Sequence, residues 1–268
     1  MTELLGYEFF RNALLGSVLA SVLCAMVGTY IVARRQVFVS GGIAHASLGG
    51  VGVGAYWGFP PLWGAAVFAL LSGYAIRWLS HRREVREDSA IAMLWTFGMS
   101  VGILASYLSP DFMPELPSFL FGNILMITRS DLYALSLLTF VAAVWFALFL
   151  RPIVAVAFDR EFARSQHIPV TLIECVMLTL TALTIVCCLR MVGIVLVISL
   201  LSVPQLTANL FTQDFRRLIL YAAVFGFLGC MGGLYLSYVL NVPGGASIIM
   251  VSILIYLLSK AIKGVCRC

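Results

Sequence analysis

The chain has 268 residues, 62% of them hydrophobic and only 11% charged, with a mean hydropathy of +1.02. Soluble domains carry roughly 25% charged residues, so this composition excludes a soluble protein and indicates a polytopic membrane protein. The net charge of +5 reads as an orientation signal of a membrane chain, not as a nucleic-acid footprint.

No linker, low-complexity segment or internal repeat divides the sequence, so one transmembrane domain over residues 1–268 is expected. The first ten residues carry Glu3 and Glu8 and no basic region, unlike a cleavable signal peptide.

A membrane-spanning helix needs about 20 apolar residues. In chain order the clear candidates are 11–33, 61–79, 89–108, 131–150, 171–189, 216–240 and 245–262. Two weaker pieces are the glycine-rich stretch 42–58 and the stretch 190–208, which Pro204 interrupts. Residues 116–127 follow Pro114 and Pro117 and read as a re-entrant or surface helix. The expected fold is an all-α helical bundle of about 8–10 crossings, nine when both weaker pieces are counted.

With nine crossings, Arg11, Arg129 and Arg190 fall on one side and the other fourteen of the 17 Lys and Arg on the opposite side. The positive-inside rule then places the C-terminus in the cytoplasm and the N-terminus outside. Asp88 before an apolar run reads as a helix N-cap. Asp159, Arg160, Glu161 and Arg164 read as a surface charge cluster, and Glu174 as an acid near a span end that snorkels to water. Thr179, Thr181 and Thr184 are expected to bond back to their own helix. His81 and His167 fall in cytoplasmic connections, and Asn241–Gly245 reads as a tight turn. The seven cysteines show no C-x-x-C pair, and those in apolar stretches read as small hydrophobes.

No phosphate loop, no His-Glu-x-x-His and no paired membrane carboxylates are present. No catalytic residue is therefore assigned, and no cofactor-binding one. Uphill transport would need energy from another chain.

One residue carries the functional reading. His45 lies in Val37-Phe-Val-Ser-Gly-Gly-Ile-Ala-His-Ala-Ser-Leu-Gly-Gly, and an ionisable group at membrane depth is a functional-site hypothesis by default. On a helix, Gly41, His45, Gly49 and Gly52 share one face. His45 would then project from a glycine groove as a transient metal ligand, with Gly41, Ser47 and Gly49 lining the path. The plainer reading is a histidine bonded across a helix interface, with glycines serving close packing. Downstream of Pro204, residues 205–217 read as a short surface helix able to dock in a groove of a soluble subunit, or as an ordinary interfacial loop.

Several blocks carry a resemblance. Arg34-Arg35-x-Val-Phe-x-x-Gly-x-Ile-Ala-His45-Ala-Ser-Leu-x-Gly-Val, Glu87-Asp88-Ser-Ala-Ile91, Leu120-Phe-Gly-Asn-Ile-Leu125 and Val192-Gly-x-x-Leu-Val-x-x-Leu-Leu-x-Val-Pro204 with its Thr-Ala-Asn-Leu come first. Together with Phe158-Asp-x-Glu-Phe-Ala163 and Val242-Pro-Gly-Gly245, they resemble the permease subunits of metal-ion ABC importers. The resemblance runs from about residue 11 to 262. It implies a type II importer permease for zinc foremost, or manganese or iron, in the bacterial plasma membrane. It also implies a homodimer in the lipid bilayer, a separate ABC ATPase that uses the ATP, and an extracytoplasmic metal-binding protein. No cofactor would be bound permanently, since the divalent metal is the cargo. The family histidine is matched by His45, whereas the family aspartate four residues earlier is Gly41 here, which weakens the case for manganese. Thr207, Asn209, Gln213 and Arg216 would face the ATPase. Two rivals are a permease for a chelated cargo, such as a siderophore or cobalamin, and a membrane component that transports nothing.

Overall fold

The computed structural model describes residues 8–81, 86–109, 122 and 127–265. Its helices are α1 (Glu8–Ala33), α2 (Val37–Trp57), α3 (Pro61–His81), α4 (Glu87–Leu108), α5 (Arg129–Phe158), α6 (Arg160–Ser165), α7 (Val170–Leu200), α8 (Val203–Asn209), α9 (Phe215–Leu240) and α10 (Gly244–Val265). Among the described residues there is no strand, and nine helical segments are long and apolar enough to cross a membrane. Both weaker stretches are among them, as Val37–Trp57 and Val192–Asn209. Of the stretch 116–127, only Gly122 and Ile127 are described. Residues 110–115 and the terminal Cys266 and Cys268 also lie outside the described residues.

Local chemistry sets several boundaries differently from expectation. The fourth helix starts at Glu87, so Asp88 sits in its first turn and Arg86 takes the cap position. Both acids there favour the positive end of the helix dipole. Helix α5 does not stop near residue 150 but runs to Phe158, leaving helical geometry once at Phe149 (φ −115°) ahead of Pro152. A proline inside a helix removes one backbone hydrogen bond and crowds the preceding turn. At its start Thr128 and Asp131 form a capping box. Helix α7 breaks at Gly193 (φ 74°, ψ 166°), a conformation open to glycine and strained for other residues. Asn241 turns the chain into α10 with φ 52°, and Ser237 Oγ closes that turn on the Val242 carbonyl at 2.6 Å.

The most enclosed helices are α1, α2 and α7, while α4 is the most open. Leu23 of α1, Ile43 of α2, and Met177, Ile185 and Leu196 of α7 are fully buried. Helix α2 is held between α3 and α4 by backbone-to-backbone contact. A Cβ at Gly50 would overlap the Gly64 carbonyl of α3, and one at Gly52 would overlap the Gly102 carbonyl of α4. Small residues at both surfaces are what permit such an approach. The outward faces carry large apolar side chains, including Trp63, Leu71, Tyr107, Phe140 and Leu254, as lipid-facing surfaces do.

At the basic end of the bundle, a single carboxylate joins three elements and the residue after α1. Glu174, buried near the start of α7, receives Arg34 at 3.1 Å, Arg77 of α3 at 3.2 Å and Arg160 of α6 at 3.1 Å. It does not snorkel: its side chain is 9% exposed. Arg160 thereby leaves the expected surface cluster, where Arg164 and Glu161 pair at 3.1 Å and Asp159 caps α6.

Candidate functional site

His45 sits in the third turn of α2, half-buried, with its ring stacked on the indole of Trp95 from α4. The centroids are 4.1 Å apart and the planes 11° from parallel. Trp95 is itself fixed, donating from Nε1 to the Met99 sulfur at 3.0 Å, with Phe38 tilted against it at 6.3 Å. His45 Nδ1 is buried and makes no hydrogen bond. A buried polar atom without a partner calls for an explanation, and a neutral imidazole nitrogen is the commonest protein ligand for first-row metals.

The glycine groove expected around this ring is not empty. A Cβ at Gly49 would lie 2.7 Å from the Gly98 carbonyl of α4, so Gly49 is a packing position and not a lining one. Ser47 is fully buried and its hydroxyl donates to the Ala44 carbonyl at 2.6 Å, which turns it into its own helix. Gly41 differs from both. A Cβ there would meet only Ile198 Cδ1, at the ordinary contact distance of 3.8 Å. Room for a Cβ therefore remains one turn from His45. Among the described residues no three His, Cys, Asp or Glu side chains are grouped to hold a metal ion.

The segment after Pro204 splits into inward and outward halves. Gln205 is buried and donates from Nε2 to the Cys24 carbonyl at 2.8 Å and the Leu200 carbonyl at 3.0 Å. Thr207, expected to face a partner, is 1% exposed and donates to the Val203 carbonyl at 2.9 Å. It belongs to the interior because α8 lies against α9, α10 and α1. Asn209, Gln213 and Arg216 are exposed, and Lys263 of α10 donates to the Leu210 carbonyl at the end of α8. Asp214 caps α9, accepting from the Arg216 amide at 2.8 Å.

Among the threonines of α7, Thr179 and Thr181 bond back to their helix, at 2.9 Å and 2.7 Å. Thr184 does not, for its hydroxyl is buried without a partner. The hub at Glu174 was missed in the sequence. The signal was a lone acid in an apolar run with arginines near the ends of three other segments.

Comparison with known proteins decides the family. The family model described as "ABC 3 transport family" matches residues 6–263. The chain belongs to the ABC 3 transport family. A membrane protein of Synechocystis is 36% identical over 263 residues, covering 98% of this chain and 94% of its own. The manganese transport system membrane protein MntC of Halalkalibacterium halodurans is 32% identical over 257 residues, covering 96% and 88%. A chain of PsaBC from Streptococcus pneumoniae, solved in complex with a Fab, superimposes with a TM-score of 0.86 at 25% identity, covering 96% and 94%. Membership of the ABC 3 family agrees with the resemblance carried by the His45 and Pro204 blocks.

Proposed function

We propose that this ABC 3 chain is the permease of an ATP-driven importer of a divalent transition metal, and that His45 is a transient ligand on the path. The observation that carries the reading is the buried, unpartnered Nδ1 of His45, one turn from Gly41, where a Cβ would meet only Ile198 Cδ1. One neutral nitrogen makes a weak site, and weak binding suits a conduit from which the ion must leave. A backbone carbonyl, water or the His45 of a second copy would complete the coordination. Zinc tolerates a nitrogen ligand without a carboxylate better than manganese does, whereas the Halalkalibacterium relative is named for manganese. Both ions are therefore the first cargoes to compare.

In this reading the basic end carrying Arg34, Arg77 and Arg160 faces the cytoplasm, the N-terminus lies outside, and two copies enclose the path. An ATPase chain engages the outward half of the 205–217 segment, at Asn209, Gln213 and Arg216. A binding protein delivers metal on the opposite side. Closure of the ATPase moves α8, and through it the bundle, between outward- and inward-open states.

The test is uptake of zinc, manganese and ferrous iron into liposomes holding the permease, its ATPase and its binding protein, beside His45→Ala at matched assembly and ATPase activity. ATP-dependent uptake of one metal, lost in the variant, is the expected result. Undiminished uptake by His45→Ala would reduce the histidine to helix packing. Uptake of a chelate in place of any free metal would overturn the cargo assignment.

A further inference from the structure

The Glu174 hub borders a cavity of about 470 Å³ at the basic end of the bundle. On its described lining, Arg34, Arg77, Arg160 and Arg164 stand against Glu87, Glu161 and Glu174, a surplus of one positive charge. Glu174 grips the first three arginines from within, and Arg164 holds Glu161 at the exposed rim. Arg34 donates from Nη1 to the Val156 carbonyl and from Nη2 to Glu174, both at 3.1 Å, yet its Nε is buried without an acceptor. The site thus presents guanidinium donors, an unmet donor and a net positive charge around a space of ligand size.

From these features we propose that the cavity binds a phosphate anion, sized and charged for the singly ionised phosphodiester of a phospholipid headgroup. Guanidinium forks match phosphate oxygens in geometry as well as charge. One negative charge balances the lining, whereas free phosphate at neutral pH carries more charge than the surplus can offset. A bare phosphate also leaves much of the volume empty, while a headgroup reaches the rim at Arg164 and Glu161. The bound headgroup would cement α1, α3, α6 and α7 at one end of the bundle. This inference does not depend on the transported cargo.

The experiment uses the full chain, stripped of lipid in dodecyl maltoside, with thermal unfolding and lipid retention in native mass spectrometry as readouts. Dioleoyl phosphatidylglycerol is added in mixed micelles in one arm. Inorganic phosphate is added against chloride at equal ionic strength in the other. The lipid should be retained and raise Tm, with apparent affinity lowered about tenfold or more in Arg160→Gln, the loss expected for a charge-assisted contact. Glu161→Gln, a change at an exposed rim residue, should tighten binding, because it doubles the surplus charge. That opposite sign keeps the test decisive if Arg160→Gln folds poorly. A Tm rise with inorganic phosphate alone, tightened by Glu161→Gln, would uphold the anion site and assign it a soluble source. No response to either anion, or one indifferent to Glu161→Gln, would overturn the proposal.

Discussion

The imidazole of His45 and the indole of Trp95 lie face to face, 4.1 Å between centroids, although they come from different helices. The stack fixes the ring plane and thereby the direction in which Nδ1 points. Such aromatic pairs contribute roughly 0.5–1.5 kcal/mol beyond area burial. Trp95→Leu should therefore slow metal uptake several-fold with assembly unchanged, and Trp95→Phe should restore most of the rate. Initial uptake rates in proteoliposomes check this, and equal rates in both variants would separate Trp95 from the site.

Gly41 has room where its neighbours have none. Gly41→Asp places a carboxylate one turn from His45, in a region where an unpaired charge is costly. The variant should unfold at lower temperature than the parent without metal. Manganese should then raise its Tm more than the parent's, since a ligand that binds only the folded state stabilises it. Thermal unfolding with and without manganese gives the answer.

Gly50 should tolerate no side chain. Gly50→Ala forces α2 away from the Gly64 carbonyl, an overpacking that costs about 1–3 kcal/mol. Gly58→Ala is a useful contrast, because Gly58 has φ 73° but open space around it. Its cost is backbone strain of about 1 kcal/mol. Unfolding midpoints should fall in that order, Gly50→Ala lowest.

Glu174→Gln leaves three guanidinium groups without their shared carboxylate. Removing one member of a buried ion pair costs about 3–5 kcal/mol, and the 17–28% exposure of the three arginines brings the expectation to the lower end. Glu174→Asp should recover part of the loss. Chemical denaturation of the purified protein measures both, and a Glu174→Gln protein as stable as the parent would show that the hub contributes no net stability.

How far these features could be read in advance depended on sequence distance. A bundle of about 8–10 spans, nine with both weak stretches counted, followed from apolar runs alone, and the weak stretch containing Gly49 and Gly52 turned out to be a well-packed helix. The groove misled because filling it takes Gly98 and Gly102 of α4 and the Phe68 ring of α3; periodicity reveals a bare face but not its neighbour. Glu174 and Arg34 are 140 residues apart, so a lone acid near a span end looked solvated until its partners were in place. Thr207 was misjudged for a different reason. Pro204 correctly marked a break, yet the short helix after it turned one polar face inward, where Gln205 bonds the Cys24 carbonyl. Hydroxyls that bond back to their own helix were foreseeable at Thr179 and Thr181, whose acceptors are four residues away.

The seating of α2 has a mechanical consequence. At Gly50 and Gly52 backbone meets backbone on two flanks, so no flexible side chain absorbs a shift at those points. A slip of one residue would drive Val51 into the place of Gly50, against the Gly64 carbonyl. Helices α2, α3 and α4 must therefore travel as one block, and His45 cannot be repositioned by local rearrangement. Its ring reports the displacement of three helices at once, so a probe attached to the outer face of α4 would follow the motion of the half-buried imidazole stacked on that helix's Trp95.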